Sequence, residues 1–139
     1  MKRFSRKAGS AQLAKFLFDG FHCSSIIKNR YLDVGDYFEN VIRAVLHDDS
    51  RSTAAVLLHE IVERLLCVYA GITSQQVDAD DAAVLADTLR HSEVCYIKQH
   101  RVAERIERIF IEALGMSWDE HDRQVEKAYA RQAKLLGVK

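Results

Sequence analysis

The stretch from about residue 52 to residue 71 constrains the fold most, because it is apolar and no proline interrupts it. Its apolar residues recur every three or four positions, which is the spacing of one helix face. Ser50 or Ser52 fits the N-cap of such a helix, and Gly71 fits its C-cap. The sequence therefore predicts an amphipathic helix in the middle of the chain.

Two different patterns flank this helix. From about residue 24 to residue 46, β-branched and aromatic residues are interrupted by turn residues such as Asp33, Gly35 and Asp36, which predicts two or three short antiparallel strands. After Gly71, three more segments show helical spacing. We therefore predict an α+β, mostly helical fold, in which a small antiparallel hairpin or sheet at about residues 24–46 is followed by four helices.

The chain is predicted to form a single domain over residues 1–139. That length suits about one domain, and the sequence contains neither a proline nor a Gly/Ser-rich linker. Residues 1–9 contain lysines and arginines but no acid, and we expect them to form a flexible basic arm. Residues 10–18 fit a short amphipathic helix with Ser10 as its N-cap.

Charge and cysteine content narrow the classes of function. Twenty basic residues balance twenty acidic ones, so the chain as a whole has no electrostatic attraction for nucleic acid or for an anionic membrane. No apolar run approaches the roughly 18 residues of a membrane span. The three cysteines are an odd number without CxxC spacing, which argues against a disulfide framework. We therefore expect a cytoplasmic protein that does not bind membranes.

The central helix carries the sequence His-Glu-Ile-Val-Glu at residues 59–63. At helical spacing His59 and Glu63 project from one face about one turn apart. Glu60 directly follows the histidine, as does the general base in the HExxH helix of zinc hydrolases, although Glu63 replaces the second histidine. Imidazole and carboxylate are both ordinary ligands of zinc or manganese. The motif therefore predicts half of a metal site.

A later helix repeats this combination. His100 and Glu107 fall on the same stripe as core residues of the segment from about residue 94 to residue 114, and Glu104 lies one turn beyond His100 at the edge of that stripe. An unpaired buried histidine or carboxylate costs several kcal/mol, about 2–7 for a polar group, unless a partner or a metal compensates. Two helices that each present a histidine and carboxylates from an apolar surface predict one shared polar centre.

Two structural interpretations of these residues stay open. The acids of the HExxE motif can lie on a solvated helix face, with His59 at its edge. Alternatively, His100 and either Glu63 or Glu107 can form a buried hydrogen-bonded pair that only fixes helix packing. The remaining ionisable residues contribute less: Asp81 is a candidate additional oxygen ligand, and four histidines are predicted to lie at the surface. These are His22, His47, His91 and His121.

Further motifs surround the HExxE helix. They comprise residues 29–37 (NRYLDVGDY), residues 57–67 (LLHEIVERLLC), Gly71-Ile72, Val77-Asp78, and a later helix with His100, Ala103, residues 106–108, Leu114-Gly115 and Trp118. Together they resemble an uncharacterised family of small phage and prophage proteins, whose members carry an RY…GDW segment, an LHExxE…LC helix and a later H..A..iE helix. The chain departs from that family at Asp80-Asp81, where the family has Phe-Asp, and in its first 25 residues.

The resemblance implies that the five residues of the two helices belong to a shared pattern; they are His59, Glu60, Glu63, His100 and Glu107. It implies no activity, because the family has no established one. A phage origin would place the protein in the cytoplasm of a bacterial host. The order of a strand followed by a metal-binding helix is also similar to a reduced zincin-type metallohydrolase.

The leading hypothesis is a protein that binds a divalent metal, either zinc, manganese or iron, and acts as a metal-dependent hydrolase. His59, Glu63 and His100 would hold the metal, and Glu60 would be the general base. A fourth ligand, or a group that orients His100 from outside the ligand shell, would be Glu107 or Glu104. The choice between peptide and phosphoester substrates does not follow from the sequence.

The alternative is a non-enzymatic phage accessory protein that binds a host or phage protein. Its metal site would then be structural or absent. A third interpretation has the basic arm contact nucleic acid. The substrate or partner, whether a small molecule or a protein, is left open, as is a homo-oligomer.

Overall fold

The computed structural model describes residues 5–138 and shows an α+β, mostly helical domain. In chain order the elements are α1 (Arg6–Asp19), β1 (His22–Ile26), β2 (Gly35–Phe38), β3 (Val41–Val45), α2 (Ser50–Ala70), α3 (Ser74–Leu85), a 3₁₀ turn (His91–Glu93), α4 (Ile97–Ala113) and α5 (Trp118–Leu135). The α+β class and the four helices after the sheet are confirmed.

The sheet is mixed rather than antiparallel, which corrects the sequence-based prediction. Its strand order is β1-β3-β2, and β3 pairs antiparallel with β2 but parallel with β1. A tight turn with Glu39 at φ 54° joins β2 to β3, so these two strands form a hairpin. The segment between β1 and β2 instead crosses to the far edge of the sheet. Along this crossover the backbone N–H of Asn29 donates to Gln132 of α5, and Arg30 pairs with Asp36 of β2. Alternation of residue types indicates a strand but not its direction.

A fifth helix precedes the sheet. α1 begins at Arg6 rather than near Ser10, because the side chain of Ser5 accepts a hydrogen bond from the backbone N–H of Ala8 and serves as the N-cap. Residues 6–9, which the sequence assigned to a flexible arm, are therefore helical. Residues 1–4 of that predicted arm lie outside the described residues.

α2 is the central element, and it packs against α1, α4 and the sheet. Its N-cap is Asp49, whose carboxylate accepts from the backbone N–H of Arg51, rather than either of the two predicted serines. At its other end Gly71 adopts the left-handed conformation (φ 76°, ψ 20°) as predicted. The helix thus spans the core with one side toward the strands and another toward α4.

The core lies on both sides of α2. Ile42 of β3 and Cys67 of α2 belong to one apolar cluster, and both are completely buried. A second cluster joins the sheet to α5 through Ala128. Complete burial of a side chain such as Ile42 contributes roughly 1.5–3 kcal/mol. These contacts fix the distance between α2 and its neighbours, and hence the geometry of the polar residues between them.

Within residues 5–138 we find no helix with both the length and the apolar character that crossing a membrane requires.

Candidate metal centre

Three side chains from two helices converge at one point. His59 Nε2 lies 3.0 Å from Glu63 Oε2 and 3.2 Å from His100 Nδ1, and the latter two atoms are 2.9 Å apart. Ligands about 2.0–2.1 Å from a tetrahedral ion are separated by about 3.3 Å, so this triangle is close to the spacing of a zinc site. The structure thus brings together the three residues that the sequence proposed as ligands.

The centre is buried on the protein side and open on the other. His59 and Glu63 are 7% and 4% exposed, whereas the side chain of His100 retains 24% exposure. A cavity of about 180 Å³ adjoins the three side chains and reaches toward Asp33 and Asp81. A ligand triangle beside a cavity leaves room for a further group, which distinguishes a catalytic metal site from a closed structural one.

Glu107 contacts His59 instead of His100, so its predicted role changes. Its Oε1 atom lies 2.7 Å from His59 Nδ1, on the side of the ring that faces away from the ligand triangle. A carboxylate at this position fixes the orientation and tautomer of a metal-binding histidine. Glu104 is peripheral, since it lies 3.9 Å from His100 Nε2 and its side chain is 53% exposed.

The second oxygen of Glu63 is held from the sheet. The hydroxyl of Tyr37 on β2 donates a hydrogen bond of 2.7 Å to Glu63 Oε1, which leaves Oε2 directed at the two histidines. Burial alone would raise the pKa of Glu63, but hydrogen bonds from His100 and His59 outweigh it and lower the pKa to about 2. Glu63 is therefore an ionised carboxylate, the form that binds a metal.

His59 lies between two carboxylates. Burial alone would lower the pKa of its imidazole. The hydrogen bonds to Glu107 and Glu63 outweigh this effect and raise the pKa to about 11. Without a metal, the ring holds a proton on each nitrogen and donates to both glutamates. The Nε2 proton occupies the position where a cation would bind, so a metal ion would replace that proton.

Glu60 borders the same cavity from the next position of α2. Its side chain packs against Gly35 of β2, where an added Cβ would lie only 2.5 Å from Glu60 Oε1. Burial and the nearby charge of Glu63 raise the pKa of Glu60 well above its usual range. Gly35 therefore provides the space that lets this carboxylate face the cavity.

One buried histidine beside the centre escaped the sequence analysis. His121 was predicted to lie at the surface, but it is 1% exposed, and its Nε2 atom hydrogen-bonds Glu107 Oε2. Its Nδ1 atom lies 2.9 Å from the hydroxyl of Ser52. The spacing of His121, Ala128 and Gln132 along one edge of α5 is the signal that could have revealed this burial.

Of the four histidines predicted to lie at the surface, two are exposed and two, including His121, are buried. His22 and His91 are exposed, as predicted, although His91 borders the cavity with its ring 4.9 Å from that of His100. His47 is buried and hydrogen-bonds the carbonyl oxygen of Val45, which corrects the prediction.

The far wall of the cavity is acidic. Asp81 accepts hydrogen bonds from the hydroxyls of Tyr31 and Tyr96, so it lines the cavity but does not join the ligand triangle. Burial raises the pKa of Asp33, which also lines the cavity, to about 7. The described residues that line the cavity include neither a lysine nor an arginine.

Comparisons with known protein families, with curated proteins and with solved structures give no match to this chain. The chemical capability of the centre therefore follows from its own geometry: two imidazoles and one carboxylate converge beside a small, acidic cavity.

Proposed function

We propose that the chain binds one divalent metal ion through His59, Glu63 and His100 and acts as a metal-dependent hydrolase. The observation that carries this proposal is the convergence of three donor atoms within 3.2 Å of one another. The carboxylate of Glu107 behind His59 gives the pairing that supports histidine ligands of zinc. Two imidazoles and one carboxylate are a common catalytic zinc set, and manganese or iron also accept them.

In this proposal each residue has a defined task. A bound divalent ion would supply Lewis-acid activation of water and of the scissile carbonyl. Burial and the charge of Glu63 raise the pKa of Glu60, and the positive charge of an ion held beside it would lower that pKa again. Glu60, which borders the cavity, would then accept the proton of the attacking water as general base. Tyr37 holds Glu63 in place, and Glu107 holds His59, so that both ligands are ordered before the metal arrives.

The side chains that line the cavity favour a neutral or cationic substrate over a phosphoester. Asp33, Asp81 and Glu60 line it, and no described residue of the lining carries a fixed positive charge. Sites that bind phosphate groups generally provide arginine, lysine or a helix N-terminus. We therefore favour an amide or ester bond, such as that of a small peptide, as the target.

Replacement of Glu60 by Gln tests the catalytic assignment. We expect the variant to bind metal as tightly as the wild type but to lose about 100-fold or more in hydrolysis of an amide or ester substrate, because it keeps the shape of the side chain and removes the base. Metal content and the turnover of a panel of aminoacyl anilides, acetate esters and phosphate esters are the measurements.

Glu104→Gln is the matched control, since Glu104 is an exposed glutamate of α4 outside the ligand triangle. It should leave both metal content and turnover unchanged. Full activity in the Glu60→Gln variant would remove the general-base role, and a preference for phosphate esters would overturn the proposed substrate class.

A second candidate function is a non-enzymatic phage accessory protein with a structural metal site. The observation that favours it is that the centre connects three helices, through His59, Glu107 and His121. The resemblance of its motifs to those of phage and prophage proteins supports it. We also propose a cytoplasmic location, because the three cysteines are free. This candidate predicts that chelation lowers the melting temperature and that the metal-loaded protein hydrolyses none of the substrate panel.

A further inference from the structure

A buried chain of hydrogen bonds runs outward from the proposed ligand His59. His59 Nδ1 lies 2.7 Å from Glu107 Oε1, Glu107 Oε2 is hydrogen-bonded to His121 Nε2, and His121 Nδ1 lies 2.9 Å from Ser52 Oγ. All four residues are at most 7% exposed. The chain begins and ends on α2, and it passes through α4 and α5.

Each link of this chain joins one pair of atoms. Glu107 Oε1 faces the ring of His59 and Glu107 Oε2 faces the ring of His121, so each carboxylate oxygen is committed to one histidine. On the other side of His121, the hydroxyl of Ser52 lies between His121 Nδ1, at 2.9 Å, and the sulfur of Met116, at 3.5 Å.

This arrangement leaves Glu107 little freedom. Without the N–H of His121, Glu107 Oε2 would be a buried carboxylate oxygen lacking a donor, and such a group turns toward whatever donor or water it can reach. Rotation of Glu107 would in turn release the ring of His59. The side chain of His121 thus controls the direction of His59 Nε2, although it lies outside the ligand triangle.

Docking of α5 does not require this polar chain. Gln132, which is 1% exposed, accepts from the backbone N–H of Asn29 at 2.8 Å and donates to the carbonyl of Ile27 at 2.7 Å. Ala128 adds apolar contact with the sheet. A buried ionic or polar pair is often replaced by apolar residues of similar volume without loss of stability. Helix packing alone therefore gives no reason for a buried histidine at residue 121.

We propose that His121, with Ser52 behind it, is a positioning residue of the metal centre that sets metal affinity through Glu107 and His59. This inference rests on the proposed function. It adds that α5, which supplies no ligand, is a part of the centre. Removal of outer hydrogen-bond partners of this kind typically lowers metal affinity about ten- to a hundredfold.

The test compares Co²⁺ binding by the wild type with that by His121→Phe, which fills the volume but removes both ring nitrogens. We expect Co²⁺ affinity, measured by competition with a chelating dye, to fall about ten- to a hundredfold. The visible absorption bands of the bound Co²⁺ should shift, because His59 is reoriented. His121→Gln, which keeps one N–H donor, should recover part of the affinity, and Ser52→Ala should cause a smaller loss.

Gln132→Leu is the control on the same helix, since it removes the other polar anchor of α5 and touches no residue of the centre. It should lower the urea midpoint of the metal-free protein but leave Co²⁺ affinity within about twofold of the wild type, since stability and ligand geometry are separate quantities. Wild-type affinity in His121→Phe, or an equal loss in Gln132→Leu, would overturn the positioning role. Absence of Co²⁺ binding in the wild type would overturn both this inference and the proposed function.

If His121→Phe fails to fold, Ser52→Ala and His121→Gln test the positioning role instead. A loss of Co²⁺ affinity in these two variants, with unchanged circular dichroism, supports the positioning role. Unchanged affinity in both contradicts it.

Discussion

Two polar clusters bridge the secondary-structure elements of this protein, and they differ in where their positive charge comes from. In the first, the Arg30 clamp, Arg30 forms two hydrogen bonds to Asp36 and two more to Asp78. In the second, the candidate metal centre, the cationic partners of Glu63 and Glu107 are histidines, and Glu63 also accepts a hydrogen bond from the hydroxyl of Tyr37. The clamp carries its own permanent cation, whereas the centre depends on protons that a metal ion can replace.

The source of the positive charge distinguishes the acidic cluster that is a candidate ligand site from the one that is not. A guanidinium is always charged and occupies both oxygens of Asp36, so the clamp has no position left for a metal. An imidazolium can lose its proton, and its nitrogen then becomes a ligand. Acidic residues near Arg30 are therefore structural, while Glu63 is available for coordination.

The largest effect on folding should come from the clamp. Asp36→Ala removes a fully buried carboxylate that accepts hydrogen bonds from Arg30 and Tyr31, and only Asp78 then pairs with the guanidinium. We expect a loss of about 3 kcal/mol in the free energy of unfolding, because the partners of a buried carboxylate lose their acceptor. Metal affinity should stay within about threefold of the wild type, because Asp36 is not a part of the ligand triangle. Urea unfolding and metal titration are the measurements.

The matched control for this variant is Asp78→Ala. Asp78 pairs with the same guanidinium but keeps 26% side-chain exposure, so its removal should cost less than about 1 kcal/mol. Equal losses in the two variants would show that burial of Asp36 does not set the strength of the clamp.

A smaller effect is expected in the pH dependence of stability, in which His59 and His47 should act in opposite directions. In the metal-free protein the pKa of His59 is raised from 6.5 to about 11, so its stabilising contribution is fully present below pH 6.5 and is lost as the pH rises through about 11. Burial lowers the pKa of His47, which has no carboxylate partner, so its contribution is present above pH 6.5 and is lost as the pH falls.

The measurement is the free energy of urea unfolding in the presence of a chelator between pH 5 and pH 9. In the wild type the contribution of His59 to the free energy of unfolding declines above pH 6.5, and His59→Gln should remove this part of the decline. The contribution of His47 declines below pH 6.5, and His47→Gln should remove that part. If His59→Gln shows the wild-type slope above pH 6.5, His59 is not held as an imidazolium between two carboxylates.

The sequence predicted the parts of the centre that follow from a single helix. The spacing of His59 and Glu63 places them on one face of α2, and a second apolar stripe with His100 suggested that two helices share one polar site. The structure brings these three residues together. Gly71 as a C-cap followed from local backbone chemistry in the same way.

The relations between helices could not be predicted in this way. A stripe on α4 shows that Glu107 faces inward but not which histidine it meets, and the structure pairs it with His59. His121 was missed because α5 is polar over most of its surface, and the buried edge is narrow. The direction of β1 likewise depends on a crossover that Asn29 and Arg30 anchor through long-range contacts. Such contacts are tertiary, and residue spacing alone does not encode them.

Metal content tests the central claim most directly. The protein is purified without chelator, and its metal content is measured by inductively coupled plasma mass spectrometry. The wild type should contain close to one divalent ion per chain, and His59→Ala and Glu63→Ala should contain essentially none. Glu104→Gln and Asp36→Ala, which alter acids outside the triangle, should keep the wild-type content. Absence of bound metal in the wild type after exposure to zinc, manganese and iron, or full retention in His59→Ala, would contradict the account.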